Sequence, residues 1–288
     1  MDIYSHPSLS VLSDFVTTCE IEHLKIVRIQ HPKARAAVSL FGGHLVSFQP
    51  TGEQETIWMS EKVILSGEKP LRGGIPVCWP WFGKIAEPSH GFARNLEWVI
   101  NEHRENEEGV ILSLMLKDDE HTRTIWPYQF ELELRVEVSE VLKVSLITTN
   151  KSNESFSFGG ALHSYFNIAD ISQTEVTALG DHYIEFKEDK ASNGIATFDQ
   201  EVDRIYTNSA KHNDILDKGN ARTIKVEHLG NSSVVVWNPW QALSTSMADM
   251  ADNGYQTMVC VESAIHEKSV TLAPNEQHTL AAVVRVVR

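Results

Sequence analysis

Apolar and polar residues alternate over much of this 288-residue chain. The clearest segment is residues 130–138, FELELRVEV, in which five apolar side chains alternate with four charged ones. A period of two is typical of a β-strand that buries one face and exposes the other. The same pattern predicts further strands at residues 24–29, 110–116, 142–147, 223–226 and 281–287.

Other segments complete this picture of short strands joined by turns. Residues 234–237, VVVW, are apolar at every position, which predicts a strand covered on both faces. Helical periodicity is weak, and only residues 14–18 and 212–216 suggest short helical turns. The chain is therefore predicted to be all-β and mainly antiparallel, a sandwich with few short helices, forming a single domain over residues 1–288.

The net charge limits the partners that this protein can attract. There are 39 acidic and 25 basic side chains, which give a formal net charge of −14. Such a charge repels nucleic acids and anionic membranes, so neither is expected as a partner. An anionic substrate would need a local cluster of basic side chains.

The cysteines and the N-terminal residues indicate a cellular location. Cys19, Cys78 and Cys260 are far apart and form no CxxC motif, so neither a zinc site nor a disulfide framework is predicted. The first residues lack the basic and apolar regions of a signal peptide, and no stretch approaches the roughly 20 apolar residues of a membrane span. A cytoplasmic location is expected.

Residues 66–95 have the least strand-like character and are rich in Gly and Pro. They contain LRGGIP at 71–76, CWPWFG at 78–83 and PSHGFAR at 88–94. A long irregular connection in a compact domain is usually functional or disordered, and the aromatic residues here favour an ordered loop. Glycines would let such a loop approach a ligand closely. We therefore expect a binding site in this loop.

Several familiar catalytic motifs are absent from the sequence. It contains no GxxxxGK[ST], no GxGxxG, no HExxH and no GxSxG. The 13 histidines form no HxH pair, so no metal site is predicted. These histidines are left with proton transfer or structural roles.

Six short segments carry a resemblance to a known family: 41–45 (FGGHL), 72–82 (RGGIPVCWPWF), 88–94 (PSHGFAR), 159–166 (GGALHSYF), 201–206 (EVDRIY) and 261–264 (VESA). Together they resemble the glucose-6-phosphate 1-epimerase, or hexose-6-phosphate mutarotase, family, a branch of the aldose 1-epimerases. The resemblance spans about residues 20–285. The segment at 72–82 is its most specific part.

The resemblance implies a galactose-mutarotase-like β-sandwich with an open cleft. It implies an enzyme that interconverts the α and β anomers of hexose 6-phosphates, D-glucose 6-phosphate above all, without cofactor or metal. It implies that His163 is the general acid and Glu262 the general base. It also implies a set of substrate-binding residues: Arg72, His90, Arg94 and Asp203.

Two neighbouring positions qualify this set. The position matching Ser89 is glutamine in some relatives, where it contacts substrate. Serine is shorter, so no direct contact is expected here. Lys84 is a further candidate for attracting a phosphate group.

The chemistry of anomer exchange explains why these residue types are needed. One group removes the proton of the C1 hydroxyl while another protonates the ring oxygen, and the two exchange roles after rotation about C1–C2. An imidazole and a carboxylate suit this task near neutral pH. We expect His163 to be protonated and Glu262 ionised, each stabilising the charge of the other. Arg72 and Arg94 are expected to bind the phosphate, since guanidinium groups pair with phosphate in a bidentate manner.

Each candidate residue also has a structural explanation. His163 could be a buried histidine bonded to backbone, and Glu262 could form an ion pair at the end of a strand. Arg72 or Arg94 could bridge two loops, and His90 could support the loop that contains it. Asp203 could pair with Arg204 or cap a turn.

Three other functions are compatible with the same pattern. One is a mutarotase for unphosphorylated aldoses, which the paired arginines disfavour. The second is a non-catalytic carbohydrate-binding protein, which the presence of both His163 and Glu262 disfavours. The third is a metal-dependent β-sandwich enzyme, for which no ligand spacing is found. The expected partner is a small sugar phosphate, and a monomer is expected because an open cleft on one chain needs no second subunit.

Overall fold

A computed structural model describes residues 2–288 of the chain. Within them the strands are β1 (Ser10–Val11), β2 (Val16–Ile21), β3 (Leu24–His31), β4 (Ala34–Ser39), β5 (His44–Pro50), β6 (Val77–Cys78), β7 (Val99–Asn106), β8 (Gly109–Lys117), β9 (Phe130–Val138), β10 (Val141–Asn150), β11 (Phe156–Leu162), β12 (Tyr165–Asn167), β13 (Thr174–Thr177), β14 (His182–Glu185), β15 (Glu188–Ala191), β16 (Val202–Tyr206), β17 (His212–Asp217), β18 (Arg222–Leu229), β19 (Ser233–Asn238), β20 (Met258–Leu272) and β21 (Gln277–Val287).

Helices are few and short. The α-helices within the described residues are α1 (Glu120–Ile125) and α2 (Trp240–Ser246). Short 3-10 turns lie at Ile3–Ser5, Ala93–Asn95, Ile171–Gln173, Lys218–Asn220 and Gly254–Thr257. Among residues 2–288, no helix has the length and apolar character needed to cross a bilayer.

The strands form three antiparallel sheets. The first sheet has the order β1-β2-β3-β4-β5. The second has the order β13-β17-β18-β21-β10-β9-β8-β7, and the third has the order β15-β14-β16-β19-β20-β11-β6. β12 is an additional partner of β20 in the third sheet.

The second sheet forms one layer of a sandwich, and the other two sheets cover it. Its strands β8 and β9 contact β3 and β4 of the first sheet, while β21 contacts β20 and β11 of the third. One apolar cluster runs through all three sheets and includes Val27, Leu134 and Val259. Removal of this large apolar surface from water is the main favourable contribution to folding.

The predicted all-β, mainly antiparallel class is confirmed. In β9 the five apolar side chains are buried and the four charged ones between them are partly exposed. Residues 234–236 of β19 are all buried, as expected of a strand covered on both faces. The period-two pattern therefore identified the half-exposed strand, and the continuous apolar run identified the covered one.

The two predicted helical turns are wrong. Residues 212–216 belong to β17, in which Asn213, Ile215 and Asp217 are buried and alternate with more exposed neighbours. Residues 14–18 lead into β2, which begins at Val16. The actual α-helices are only one or two turns long, so their sequences contain too few turns to show a helical period.

The loop at residues 66–95 is irregular as predicted, with β6 and one 3-10 turn as its regular elements. Gly73 has a φ of +107°, and a Cβ at this position would lie 2.5 Å from the carbonyl oxygen of Trp58. A Cβ on Gly91 would lie 2.0 Å from the carbonyl oxygen of Trp79. These glycines therefore let the loop lie against the protein's own backbone, whereas the sequence suggested approach to a ligand.

A buried ion pair ties the second sheet to the third. Nε of Arg222 donates to Oδ2 of Asp217 at 2.9 Å, and both side chains are almost completely buried. Oδ1 of Asp217 accepts from the amide of Ala169, and Nη2 of Arg222 donates to the carbonyl oxygen of Asn167 at 2.6 Å. Asn167 ends β12, so this network fixes a strand that, as shown below, belongs to the functional site.

Loss of one partner in this pair should be strongly destabilising. Asp217→Ala leaves the Arg222 charge buried and unpaired, so the free energy of unfolding should fall by about 3–5 kcal/mol in urea denaturation. The control is Asp214→Ala, which removes the 3.5 Å surface pair with Lys225 on the same two strands. It should cost less than about 1 kcal/mol. Equal effects of the two changes would contradict this role of the buried pair.

Candidate active site

The third sheet forms the floor of a cleft of about 610 Å³. All the site residues predicted from the sequence line it: Arg72, His90, Arg94, His163, Asp203 and Glu262. They come from the irregular loop, from the segment between β11 and β12, and from strands β16 and β20. The fold thus brings together residues that are widely separated in the chain.

Glu262 lies in the buried half of β20, with its side chain 1% exposed. In the sheet register it pairs with Val235 of β19. Its Oε2 has no hydrogen-bond partner in the described part of the chain, and no lysine or arginine of residues 2–288 pairs with it. The strand-end ion pair considered from the sequence is therefore not what holds this carboxyl group.

His163 lies between β11 and β12, and its amide donates to the carbonyl oxygen of Pro76. Its ring stacks on that of Tyr165, with centroids 4.9 Å apart and an interplanar angle of 10°. Nδ1 of His163 lies 3.3 Å from Oε1 of Glu262, although the angle does not make a hydrogen bond. The ring is therefore held by stacking against a buried tyrosine and faces the carboxyl group.

The surroundings of this pair set its protonation. Burial lowers the pKa of His163 well below its ordinary value, and the nearby His90 and Arg94 lower it further. Burial raises the pKa of Glu262 well above its ordinary value, and the carboxylate of Asp203 adds to this. These surroundings favour a neutral imidazole beside a protonated carboxyl group.

This result corrects the ionisation expected from the sequence. We expected mutual stabilisation of an imidazolium and a carboxylate, whereas desolvation shifts the pKa of each group in the direction that favours its neutral form. The pair holds one dissociable proton in either case. That proton is on His163 in the expected ionic pair and on Glu262 in the neutral pair.

His90 lies at the tip of a turn with a left-handed φ of +62°. Its amide donates to the carbonyl oxygen of Gly83, and its Nδ1 accepts from the amide of Gly83 at 3.3 Å. Burial lowers its pKa to about 4, helped by Arg94, Lys84 and Arg72. A neutral His90 with Nδ1 as acceptor carries its proton on Nε2, so it can serve as a hydrogen-bond donor in the cleft.

Arg72 is already engaged by two side chains. Its Nε lies 3.3 Å from Oδ1 of Asp249, and its Nη1 donates to the hydroxyl of Tyr165 at 3.2 Å. Tyr165 therefore links this guanidinium to the ring of His163. The arginine retains donors for a ligand, but Asp249 balances part of its charge.

Arg94 is less fully paired than Arg72. Its Nη2 donates to the carbonyl oxygen of Ser89 at 2.7 Å, and its buried Nε has no partner in the described residues. Lys84 and Ser89 line the same cleft, as do the acidic residues Glu201 and Asp203. Basic side chains are thus gathered at one site of a strongly acidic protein.

Asp203 lies on β16 opposite Trp237 of β19, at the exposed edge of the cleft floor. Arg204 pairs instead with Glu185, with Nε and Oε1 3.0 Å apart. Asp203 is thus not the partner of Arg204 that the sequence allowed. Its carboxylate is left facing the cleft.

Sequence analysis missed three residues at this site. Tyr165 lies two positions from His163, and Cys260 lies two positions from Glu262. A strand period of two puts such neighbours on one face, and this was the signal that could have found them. Asp249 lies in the segment after α2, and no local pattern connects it to Arg72.

The fold and site define a class of protein. Residues 25–285 match the sequence profile of the family described as aldose 1-epimerase. The chain therefore belongs to the aldose 1-epimerase family, and the resemblance inferred from the six segments is confirmed.

The similar proteins are matched over nearly their full lengths. A protein of Escherichia coli (strain K12) named "Putative glucose-6-phosphate 1-epimerase" is 37% identical, with 99% of this chain and 98% of that protein covered. A Salmonella typhimurium protein of the same name is 40% identical, with 91% and 90% covered. A crystal structure from Salmonella typhimurium, described as a "putative mutarotase (YeaD)", has a TM-score of 0.96 at 37% identity, covering 100% of this chain and 98% of that one.

The buried carboxyl group should make stability depend on pH. Glu262 has a pKa raised above its ordinary value of 4.5, so the folded state keeps a proton that the unfolded chain releases as the pH rises. Glu262→Gln removes this dependence. Its free energy of unfolding should therefore exceed that of the wild type by a margin that grows as the pH rises above the ordinary value of 4.5.

Urea denaturation between pH 4.5 and 8 measures this margin. Glu227→Gln, on the exposed side of β18, is the matched control and should show no such growth. A constant difference between Glu262→Gln and the wild type across the range would show that the carboxyl group is not protonated by burial.

Proposed function

We propose that this protein interconverts the α and β anomers of hexose 6-phosphates, with D-glucose 6-phosphate as the principal substrate, by acid–base catalysis without a cofactor. The observation that carries the proposal is the contact between His163 and Glu262, 3.3 Å apart on the floor of a cleft lined by Arg72, Arg94 and Lys84. The names of the relatives that match over nearly the whole chain support the same activity.

Two groups in contact can act on one hemiacetal. The C1 hydroxyl oxygen and the ring oxygen are both bonded to C1, so an acid and a base side by side can reach both. Glu262 takes the hydroxyl proton while His163 protonates the ring oxygen, and the C1–O5 bond breaks to give the aldehyde. After rotation about C1–C2, the reverse transfers close the ring on the other face.

The protonation state that burial favours in the pair is the one needed for ring closure. A protonated Glu262 beside a neutral His163 is the state that follows ring opening, and it is the state favoured by burial. Ring opening requires the same proton to be on His163. The proton must therefore move from the carboxyl group to the imidazole when the closed sugar binds.

The phosphate group of the substrate can assist this shift. Burial is the main cause of the lowered pKa of His163, and His90, Arg94 and Arg72 lower it further, whereas burial and Asp203 raise the pKa of Glu262. A phosphate dianion that pairs with the arginines cancels their effect on His163. Transfer of the proton to the imidazole then costs less, although burial still opposes it, so the phosphate contributes to catalysis as well as to binding.

The remaining polar groups suit the sugar ring. Nε2–H of His90 is a donor for a ring or hydroxyl oxygen, and the Asp203 carboxylate accepts from hydroxyl groups. Both lie on the same cleft as the pair. They would hold the pyranose with C1 over His163 and Glu262.

Replacement of either member of the pair should abolish most of the exchange. His163→Ala and Glu262→Gln should each lower the rate about 10²- to 10⁴-fold, because each removes one proton transfer. Two-dimensional exchange NMR of glucose 6-phosphate at anomeric equilibrium measures the rate, and His121→Ala on the exposed surface is the control. Binding of the sugar phosphate should persist. Undiminished exchange in either variant excludes that residue from the mechanism.

Loss of Arg94 should act selectively on phosphorylated sugars. Arg94→Ala removes a charged donor, so kcat/KM for glucose 6-phosphate should fall about 10- to 100-fold, with part of the loss in kcat. Arg94→Lys should be intermediate because it keeps the charge but loses the planar fork. The control is Arg104→Ala, on the exposed edge strand β7. Equal turnover of glucose and glucose 6-phosphate by the wild type would favour an unphosphorylated aldose as substrate.

A further inference from the structure

A third potential ligand atom lies beside the His163–Glu262 pair. A ring nitrogen of His163, Sγ of Cys260 and a carboxylate oxygen of Glu262 all lie within 4.8 Å of one another. Within residues 2–288, this is the one cluster in which three histidine, cysteine or carboxylate groups lie so close together. The anomer exchange proposed above has no use for the thiol.

The sheet register brings the three groups together. Cys260 and Glu262 are two positions apart on β20, so their side chains leave the same face. Cys260 pairs with Tyr165 of β12, and the ring of Tyr165 stacks on His163. The cluster is therefore fixed by strand pairing and does not depend on a mobile loop.

The cluster contains buried polar atoms without partners. Oε2 of Glu262 and Nδ1 of His163 make no hydrogen bond within residues 2–288, and Glu262 is 1% exposed. Cys260 is fully buried and forms no disulfide. Buried polar atoms are usually satisfied, so unpaired ones that converge on one point indicate a ligand that can bind between them.

The donor types match one class of ligand. Imidazole, thiolate and carboxylate are the groups that bind Zn²⁺, at about 2.0–2.3 Å each. Such bonds place tetrahedral ligands about 3.4–3.8 Å apart, so the longest separation in the cluster has to shorten by about 1 Å. His163 and Glu262 also line the cleft, which provides a path for the ion and a fourth position for water.

We propose that His163, Cys260 and Glu262 form an inhibitory site for a thiophilic divalent cation such as Zn²⁺. On binding, the Cys260 thiol loses its proton to solvent, and the remaining proton of the pair is also released. The two anionic ligands then neutralise the charge of the ion. Mg²⁺ should bind far more weakly, because it prefers oxygen ligands and is reluctant to lose its water.

The metal site and the proposed function can be tested separately. Cation binding does not depend on the reaction, whereas inhibition by the cation rests on the proposed role of His163 and Glu262. Binding is therefore measured first, with Co²⁺ as a spectroscopic substitute for Zn²⁺ and with the full chain under reducing conditions.

Titration of the wild type with Co²⁺ should give a saturable near-ultraviolet thiolate-to-cobalt band at one ion per chain, and Zn²⁺ should abolish it. Cys260→Ala should lose the band, as should Cys260→Ser if the alanine variant folds poorly by circular dichroism. Cys19→Ser, which changes a buried cysteine of the first sheet, should keep it. The proposal is overturned if the wild type shows no saturable band, or if the band survives in a folded Cys260 variant.

The second experiment measures anomer exchange in the presence of Zn²⁺. Zn²⁺ should inhibit the wild type, and a chelator should restore its activity. Inhibition of Cys260→Ala should need a more than about 100-fold higher free Zn²⁺ concentration, since even outer-shell changes cost 10- to 100-fold in metal affinity. Anomer exchange by a wild-type protein that gives no cobalt band would refute the metal site alone. A cobalt band in a protein without exchange activity would refute the proposed function alone.

Discussion

Everything at this site depends on one carboxyl group that is buried beside one imidazole. Desolvation of a carboxylate in the buried half of β20 is unfavourable, which favours a protonated Glu262 and a neutral His163. The large core shared by three sheets can sustain this cost, since functional groups held in unfavourable surroundings must be stabilised by the rest of the fold. Proton transfer to His163 consequently requires the bound substrate to change the local potential.

Around His90 the local potential is opposite in sign to that of the protein as a whole. The chain carries a formal net charge of −14, yet Arg94, Lys84 and Arg72 all lower the pKa of His90 within the cleft. Low-dielectric walls let nearby charges dominate over distant ones. An anion therefore finds favourable potential only after it has entered the cleft, which favours small sugar phosphates over large polyanions.

Much of the fold and the identity of the pair were accessible from sequence, for different reasons. Strands such as β9 were predicted because a period of two is a local property, and Glu262 was conspicuous because it follows an apolar run. The contact of His163 with Glu262 was not local, since it depends on pairing between β12 and β20, and the family resemblance supplied it. The ionisation was predicted wrongly because the depth of burial, which decides it, is a property of the assembled sheets.

The site is assembled from two connected parts, because Arg72 bonds to the Tyr165 hydroxyl and the His163 amide donates to Pro76 of the loop. His163 and Glu262 are fixed by the third sheet, whereas Arg72 and Arg94 belong to the irregular loop, which bridges to the first sheet where Ile75 donates to Leu45. A change of length or charge in the loop would therefore also act on the His163 ring and its proton. Diversification of substrate range within this family is constrained for this reason, because what is recognised and how it is transformed share the same contacts.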